Sequence, residues 1–409
     1  MTEAPKPIGT VTLSAAGRPG KPARQGSLRE SNLALVAGMI FDRGEPLSRS
    51  QIADHSGLNR GTVSRIVDQL VGSGIVAERE PLGGTGAGRP VIPLEPAANS
   101  RVALGFEVNT ASAGACLVDL AGNVISERVI TGDFIDSNPR AVLGRLSRIG
   151  DTLLDRAEAI GARYVGSHLA LPGVIDRAGE SLIIAPRLGW SDLDPRRLFR
   201  SPRLAARPMQ LGGVLPFAAL AEASLRRDAA TRPSFLYVAG DNSIGSALVI
   251  NGESFTDLYG GDSTIGHILI DSRGPECWCG RRGCLEQYVS RQAILDRAGL
   301  EAGLPVEQMA ELAVDHAPLR RVLRRTGSAL GAALATLTNF VEVPTIVLGD
   351  NLAVLLPIME DEITAELTDR ILRPEVPTVE PARSGPHAAM RGGALSVLRK
   401  ALDNLQDWL

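Results

Sequence analysis

The chain has 409 residues, 44% of them hydrophobic, with 43 Lys and Arg against 46 Asp and Glu and a formal net charge of −3. This length exceeds one compact domain and suits two or three. The charge excludes a molecule that grips nucleic acid by overall basicity, so any DNA contact has to be local. No run of eighteen apolar residues marks a transmembrane helix, and the N-terminus lacks the apolar stretch of a signal peptide. A cytoplasmic protein with no membrane partner is expected.

Residues 1–27 are rich in Pro, Gly, Ala and Ser, with Lys6, Arg18, Lys21 and Arg24 against Glu3. They read as a disordered, mildly basic arm, either a plain solvated tail or a DNA-contacting one. Residues 28–97 read as a winged helix-turn-helix. The first helix carries Leu28, Leu35, Val36, Met39 and Ile40 at helical spacing and stops at Gly44. The second opens on Ser48 with Gln51 three residues on, a capping box. A turn at Gly57 and Leu58 leads to the third, with Asn59 as N-cap. Ala53 and Gly57 fall where a helix-turn-helix needs a small residue and a turn glycine, and Val63 and Ile66 where its reading helix packs inward.

On that third helix Val63, Ile66, Val67 and Leu70 form one apolar stripe. Gly61, Ser64, Arg65 and Asp68 then face away, with Arg60, Thr62 and Gln69 on the flanks. Short polar side chains with two arginines suit a major groove, which makes Arg60, Gly61, Thr62, Ser64 and Arg65 the candidate DNA contacts. A surface helix used only for protein contact is the alternative. Residues 74–96 read as two strands around a glycine-rich tip, the wing, where Arg89 in Gly88-Arg89-Pro90 is placed to enter a minor groove.

From about residue 98 the pattern changes. RVALGFEVN, ASAGACLVDL and GNVISERVIT are strands, with Gly122-Asn123 as a hairpin turn. A helix at about 139–160 follows, then the strand YVGSHLALPG ending on Gly173, a strand near 208–212 and a helix from about 216. After Pro233 the order begins again: SFLYVAG, GSALVIN and TIGHILID as strands, then helices, the strand TIVLGD and a closing helix at 387–405. Two halves of β-β-β-α-β-α type stand in tandem.

Three of the four cysteines lie in one segment, GHILIDSRGPECWCGRRGCLE. Cys277, Cys279 and Cys284 form C-x-C-x4-C, and His267 stands ten positions before the first. Three thiols and one imidazole make a closed Cys3His set for a structural Zn2+, with no position left for a substrate water. Gly280 and Gly283 give the chain freedom to fold around one ion. Buried free thiols beside an unrelated histidine are the bland alternative, and a Cys277–Cys279 disulfide would be strained.

Gly266, His267, Cys277, Cys279, Gly280, Gly283, Cys284 and Glu286 together resemble the signature of the ROK group of repressors and sugar kinases. The resemblance extends to the GRP tripeptide after the three-helix unit. It implies a mostly α winged helix-turn-helix followed by a two-lobed α/β actin-like domain of ROK/sugar-kinase type over 98–409. Lobe 1 would span about 98–230 and lobe 2 about 231–386, with the zinc knuckle at 267–286 and the C-terminal helix at 387–405.

The resemblance also supplies a test for catalysis. Family kinases carry a general-base aspartate in a segment like N-D-x-N-A-A-A-L-A-E. Here the similar segment is GGVLPFAALAE, which puts Val214 at the aspartate and Gly213 at the sugar-binding asparagine. A valine accepts no proton. The phosphate loop of D-x-G-G-T type is replaced by Glu107-Val108-Asn109-Thr110, and GDNSIGSALVING matches the second loop only partly. No catalytic residue is therefore assigned, and the chain is expected not to be an enzyme.

In the ligand pocket the resemblance assigns hydroxyl contacts to Glu286 and His267. Thr264 stands where the family has a further glutamate, and Arg187 where it has an asparagine, while Gly173 closes a neighbouring strand. Arg187 suits a carboxylate or phosphate, so the effector is either an acidic or phosphorylated sugar or, if Arg187 pairs with a nearby acid, absent. Trp190 is expected to fill core. The combined reading is a repressor that binds an inverted-repeat double-stranded operator as a dimer or tetramer and responds to a sugar or sugar phosphate. An active sugar kinase with a DNA-binding unit, and a DNA binder with a vestigial pocket, are the rivals.

Overall fold

The computed structural model describes residues 25–41, 45–80, 91–176, 178–226, 232–255, 264–402 and 405. At the N-terminal end lie α1 (Gln25–Phe41), β1 (Leu47–Ser48), α2 (Arg49–Ser56), α3 (Arg60–Gly72), β2 (Val76–Glu78) and β3 (Pro93–Pro96). The local signals act as expected. Ser48 and Gln51 close a reciprocal capping box on α2, Gly57 ends it at φ 71°, and Asn59 Oδ1 accepts from Thr62 N at 2.8 Å. The wing strands β2 and β3 pair antiparallel, and β1 adds a third strand in the order β1-β3-β2.

Lobe 1 contains β4 (Arg101–Val108), β5 (Ser112–Asp119), β6 (Val124–Thr131), α4 (Pro139–Ala159), β7 (Arg163–Ala170), β8 (Val174–Ile175), β9 (Leu182–Ala185), β10 (Trp190–Leu193), α5 (Pro202–Ala205), β11 (Met209–Gly212) and α6 (Val214–Leu225). Lobe 2 contains β12 (Phe235–Gly240), β13 (Ile244–Ile250), β14 (Glu253–Phe255), α7 (Glu286–Val289), α8 (Arg291–Ala298), α9 (Val306–Leu312), α10 (Ala317–Phe340), β15 (Thr345–Leu348), α11 (Asp350–Arg370) and β16 (Thr378–Pro381). The closing helix is α12 (Ala388–Leu402).

The two five-stranded sheets run β6-β5-β4-β7-β11 and β14-β13-β12-β15-β16. In each, the first strand is central, the next two add antiparallel on one side, and the last two add parallel on the other. This identity of order is the duplication that the tandem pattern implied. It places the C-terminal ends of β4 and of β12 and β15, with the loops that follow them, at the cleft between the lobes.

Both faces of the lobe 1 sheet are covered, which is why β4 and β5 are buried along nearly their whole length. On one face Leu104, Phe106 and Val108 pack with Leu143, Leu146 and Leu153 of α4. On the other, Ala103, Cys116 and Val118 share one apolar cluster with Met390, Ala394 and Val397 of α12 and with Leu33, Val36, Val63 and Leu70 of the winged helix. A Cβ at Gly105 would stand 1.7 Å from Met390 O, so only glycine lets α12 lie this close to β4. Arg101 Nη2 also donates to Ser73 O at 3.1 Å across the same boundary. Between the lobes, α6 and the start of α12 join Phe235, Tyr237 and Val347 of the lobe 2 sheet in a third cluster.

Two expectations need correction and two bounds are refined. TIGHILID is not a strand: Ile265–His267 is a short 3-10 turn, and the third lobe 2 strand is β14 instead. The chain turns there because Ile265 and Gly266 are buried behind the knuckle. Helix α1 already includes Gln25, so the arm ends before residue 27, and α1 buries Leu33, Val36, Ala37 and Ile40 while Leu28 and Leu35 face out. Helix α6 begins at Val214 rather than 216, with Gly213 as its N-cap. The closing helix runs Ala388–Leu402 within the expected 387–405.

Candidate functional site

The reading helix α3 buries Val63, Ile66, Val67 and Leu70 as one stripe. Its opposite face leaves Arg60, Gly61 and Arg65 exposed and Thr62 and Ser64 partly so. All five predicted contacts therefore share one accessible surface. The acids nearby are tied away from it. Arg49, at the start of α2, donates to Asp68 at 2.6 Å and to Glu78 at 2.9 Å, while Arg60 and Arg65 enter no ion pair among the described residues. Arg49 thus neutralises the one carboxylate on α3 and leaves its two arginines free for an anionic partner. Arg89 lies outside the described residues.

At the lobe 2 knuckle, the ligand atoms of His267, Cys277, Cys279 and Cys284 lie within 4.8 Å of one another. Cys277 Sγ stands 3.7 Å from His267 Nδ1, and Cys279 Sγ stands 3.7 Å from Cys284 Sγ. Tetrahedral ligands about 2.3 Å from one zinc would stand about 3.8 Å apart, so the set fits a single ion. Burial first, then the neighbouring thiols Cys279 and Cys277, pushes the Cys284 thiol up to about 12. Three thiols this close become thiolates together only around a cation. Gly283 adopts φ 72°, and a Cβ there would stand 1.6 Å from Asp271 O, which explains that glycine.

Glu286 opens α7 and is 3% exposed. Ile244 N donates to its Oε2 at 3.3 Å, and the indole of Trp278 donates to its Oε1. The His267 ring lies edge-on to Trp278, centroids 5.1 Å apart. The two retained pocket residues are thus brought together, with Trp278 between them. Sequence reasoning passed over Trp278; its signal was an indole as the middle residue of C-x-C. Thr264 is exposed and immediately precedes the 3-10 turn that carries His267.

Arg187 stands on a separate 3-10 turn in lobe 1, partly exposed, and makes no side-chain hydrogen bond or ion pair among the described residues. The nearby-acid alternative for it finds no support there. Gly173 has φ 142°, and a Cβ would stand 2.3 Å from Ile184 O, so its role is to let β9 approach. Trp190 is 1% exposed and donates to Ser137 O at 2.8 Å, the core residue expected.

Val214 begins α6 and packs against the cluster between the lobes. The loop after β4 opens on a buried acid. Glu107 is 3% exposed; Asn109 Nδ2 donates to its Oε1, and its Oε2 finds no partner. His387 Nδ1 lies 3.9 Å from that Oε1, and the carboxylate raises the imidazole pKa. Asp350, at φ 48° on the first turn of α11, is solvent-accessible yet closely surrounded by protein. That desolvation, then the charge of Glu107, pushes its carboxyl up to about 6. Asp241 of the second loop is held by Arg291 at 2.6 Å and by Asn351 at 2.5 Å. Of these groups the sequence analysis named only Glu107. Asp350 and His387 carry no sequence signal beyond a glycine-acid strand end and a histidine before a helix.

The comparisons agree with this geometry. The ROK family profile matches residues 104–400, and an IclR-type helix-turn-helix profile matches residues 40–80. The xylose repressor of Bacillus spizizenii is 25% identical over 358 residues, covering 85% of this chain and 89% of its own. The Escherichia coli DNA-binding transcriptional dual regulator NagC is 24% identical over 411 residues, covering 94% and 97%. A solved ROK-family transcriptional regulator, described as a homologue of the E. coli MLC protein, superposes with a TM-score of 0.74 at 22% identity over 92% of this chain and 98% of that one. The chain belongs to the ROK family and, with its helix-turn-helix, is a DNA-binding transcription regulator of that family.

Proposed function

We propose that this protein is a cytoplasmic, sugar-responsive repressor whose kinase-like domain binds its effector without phosphorylating it. The observation that carries this reading is Val214 at the first position of α6, where the resembled kinases carry the aspartate that takes the sugar proton. A hydrocarbon side chain takes no proton from a sugar hydroxyl. His267, Cys277, Cys279 and Cys284 hold a structural zinc ion, which fixes the backbone of the knuckle and so the place of Glu286 and His267.

Relatives are named for xylose and for N-acetylglucosamine, which supports a sugar or sugar derivative as effector here. The unpaired guanidinium of Arg187 favours one that carries a carboxylate or phosphate. Glu286, His267, Thr264 and Arg187 are its contacts. On the DNA side Arg60, Thr62, Ser64 and Arg65, with Gly61 allowing close approach, read the major groove, and Arg89 reads the minor groove from the wing. The protein works as a homo-oligomer on an inverted repeat whose half-sites lie about 34–36 Å apart. Effector binding shifts the balance between lobe arrangements, and α12 transmits the shift because it packs on both α6 and the winged-helix cluster.

The test is a titration of the intact protein on the duplex upstream of its own coding region, at fixed salt, with and without sugars, sugar acids and sugar phosphates. Specific retention released by one compound supports the reading. Specific binding that no compound alters favours a pocket without an effector, and binding no stronger than to a scrambled duplex ends the regulator assignment.

A further inference from the structure

Trp278 stands between two zinc-ligand positions, yet its side chain leaves the knuckle and returns onto the pocket. Its Nε1 donates to Glu286 Oε1, and its ring stands edge-on to His267 at 71°. Ile244 N occupies the other carboxylate oxygen at 3.3 Å. Each oxygen of Glu286 therefore already accepts a donor, and the residue is only 3% exposed, whereas Trp278 is 50% exposed. The exposed indole thus caps a buried carboxylate.

We propose that Trp278 is a gate on the sugar pocket: its indole occupies Glu286, and a sugar presenting adjacent hydroxyls displaces it. The inference rests on the reading of Glu286 as a hydroxyl acceptor. Three features suit a gate. Half of the indole is already in water, so moving it forfeits little apolar burial. Its backbone is anchored on both sides by Cys277 and Cys279, so the side chain turns about its own torsions without disturbing the metal set. A single N–H donor holds it closed, and a diol offers two O–H donors in exchange. A ligand with one hydroxyl in reach gains nothing over the indole, so the gate selects polyols.

The experiment uses the full-length zinc-loaded protein with D-xylose and N-acetyl-D-glucosamine as probes. Calorimetric affinities are compared between wild type and Trp278→Phe, which keeps an aromatic ring and removes the donor. Zinc content and melting temperature serve as folding controls. The gate predicts that Trp278→Phe binds a probe about tenfold more tightly than wild type, or binds one that wild type refuses. In wild type, tryptophan emission should shift to the red as sugar saturates, since the indole moves into water. This second readout is taken on wild type alone and needs no variant. Equal or weaker binding by Trp278→Phe, or an unmoved emission at saturation, overturns the gate and leaves the sensor reading intact. If neither probe binds either protein, the gate is overturned, while the sensor reading, which favours an acidic or phosphorylated effector, stands.

Discussion

Helix α3 and the interlobe cleft treat charge in opposite ways. On α3 the acid is cancelled: Arg49 holds Asp68 and Glu78, and Arg60 and Arg65 remain free. In the cleft acids gather, with Arg291 and His387 beside them. Arg291 is committed to Asp241, while Glu107 keeps an unpartnered oxygen and Asp350 is pushed up to about 6. One end of the molecule presents cations and the other gathers acids. On the function proposed above, the kinase-like fold serves as hinge and pocket rather than as catalyst.

The largest expected effect lies on the receiving end. Replacing Arg60 and Arg65 together by Ala should weaken operator binding about 100-fold or more, since each base or phosphate contact contributes about 1–3 kcal/mol. Gel retardation at matched salt measures it, and a loss under threefold would remove α3 from the interface. Next, Cys284→Ser should weaken zinc retention at least tenfold against a chelator while leaving effector-free operator affinity within about twofold, because the knuckle packs on the lobe 2 core, which is separate from the cluster that the winged helix shares with lobe 1 and α12. A parallel loss of both would show the two ends to be one folding unit.

Two smaller effects sharpen the contrast. The folded Asp350 carboxyl is raised to about 6 from an ordinary 3.8, so the folded state binds the extra proton. Stability therefore falls as pH rises across that window and stays lowered above it. Asp350→Asn should melt higher than wild type at pH 8, and the gap should close toward pH 4.5. A gap that widens on acidification contradicts the assignment. Smallest, Arg49→Ala frees Asp68 to face the DNA and should cost about two- to fivefold in operator affinity, with less effect at high salt.

Much of this was legible in the sequence where the signal is local. Ser48, Gln51, Gly57 and Asn59 specify the helix-turn-helix because a cap bonds within three or four residues of itself. The Cys3His set was legible because its ligands lie within one loop. The phase of α1 was not, since a helix this apolar offers several faces and the partner core chooses Leu33 over Leu28 and Leu35. TIGHILID has strand-like residues, but Ile265 and Gly266 are buried in a 3-10 turn that no local pattern marks. The cleft acids join residues 107, 241 and 350, which only the two-lobed fold brings together, and no local pattern announces such a meeting.

The most direct measurement sets both ends of one preparation against their phosphates. The intact protein is incubated with magnesium ATP and a panel of sugars, ADP release is followed by a coupled assay, and operator binding is titrated in parallel. The account predicts specific operator binding that weakens steeply with salt, and no sugar-dependent ADP release above the no-protein rate. Sugar-dependent turnover would contradict it, because Val214 can accept no proton.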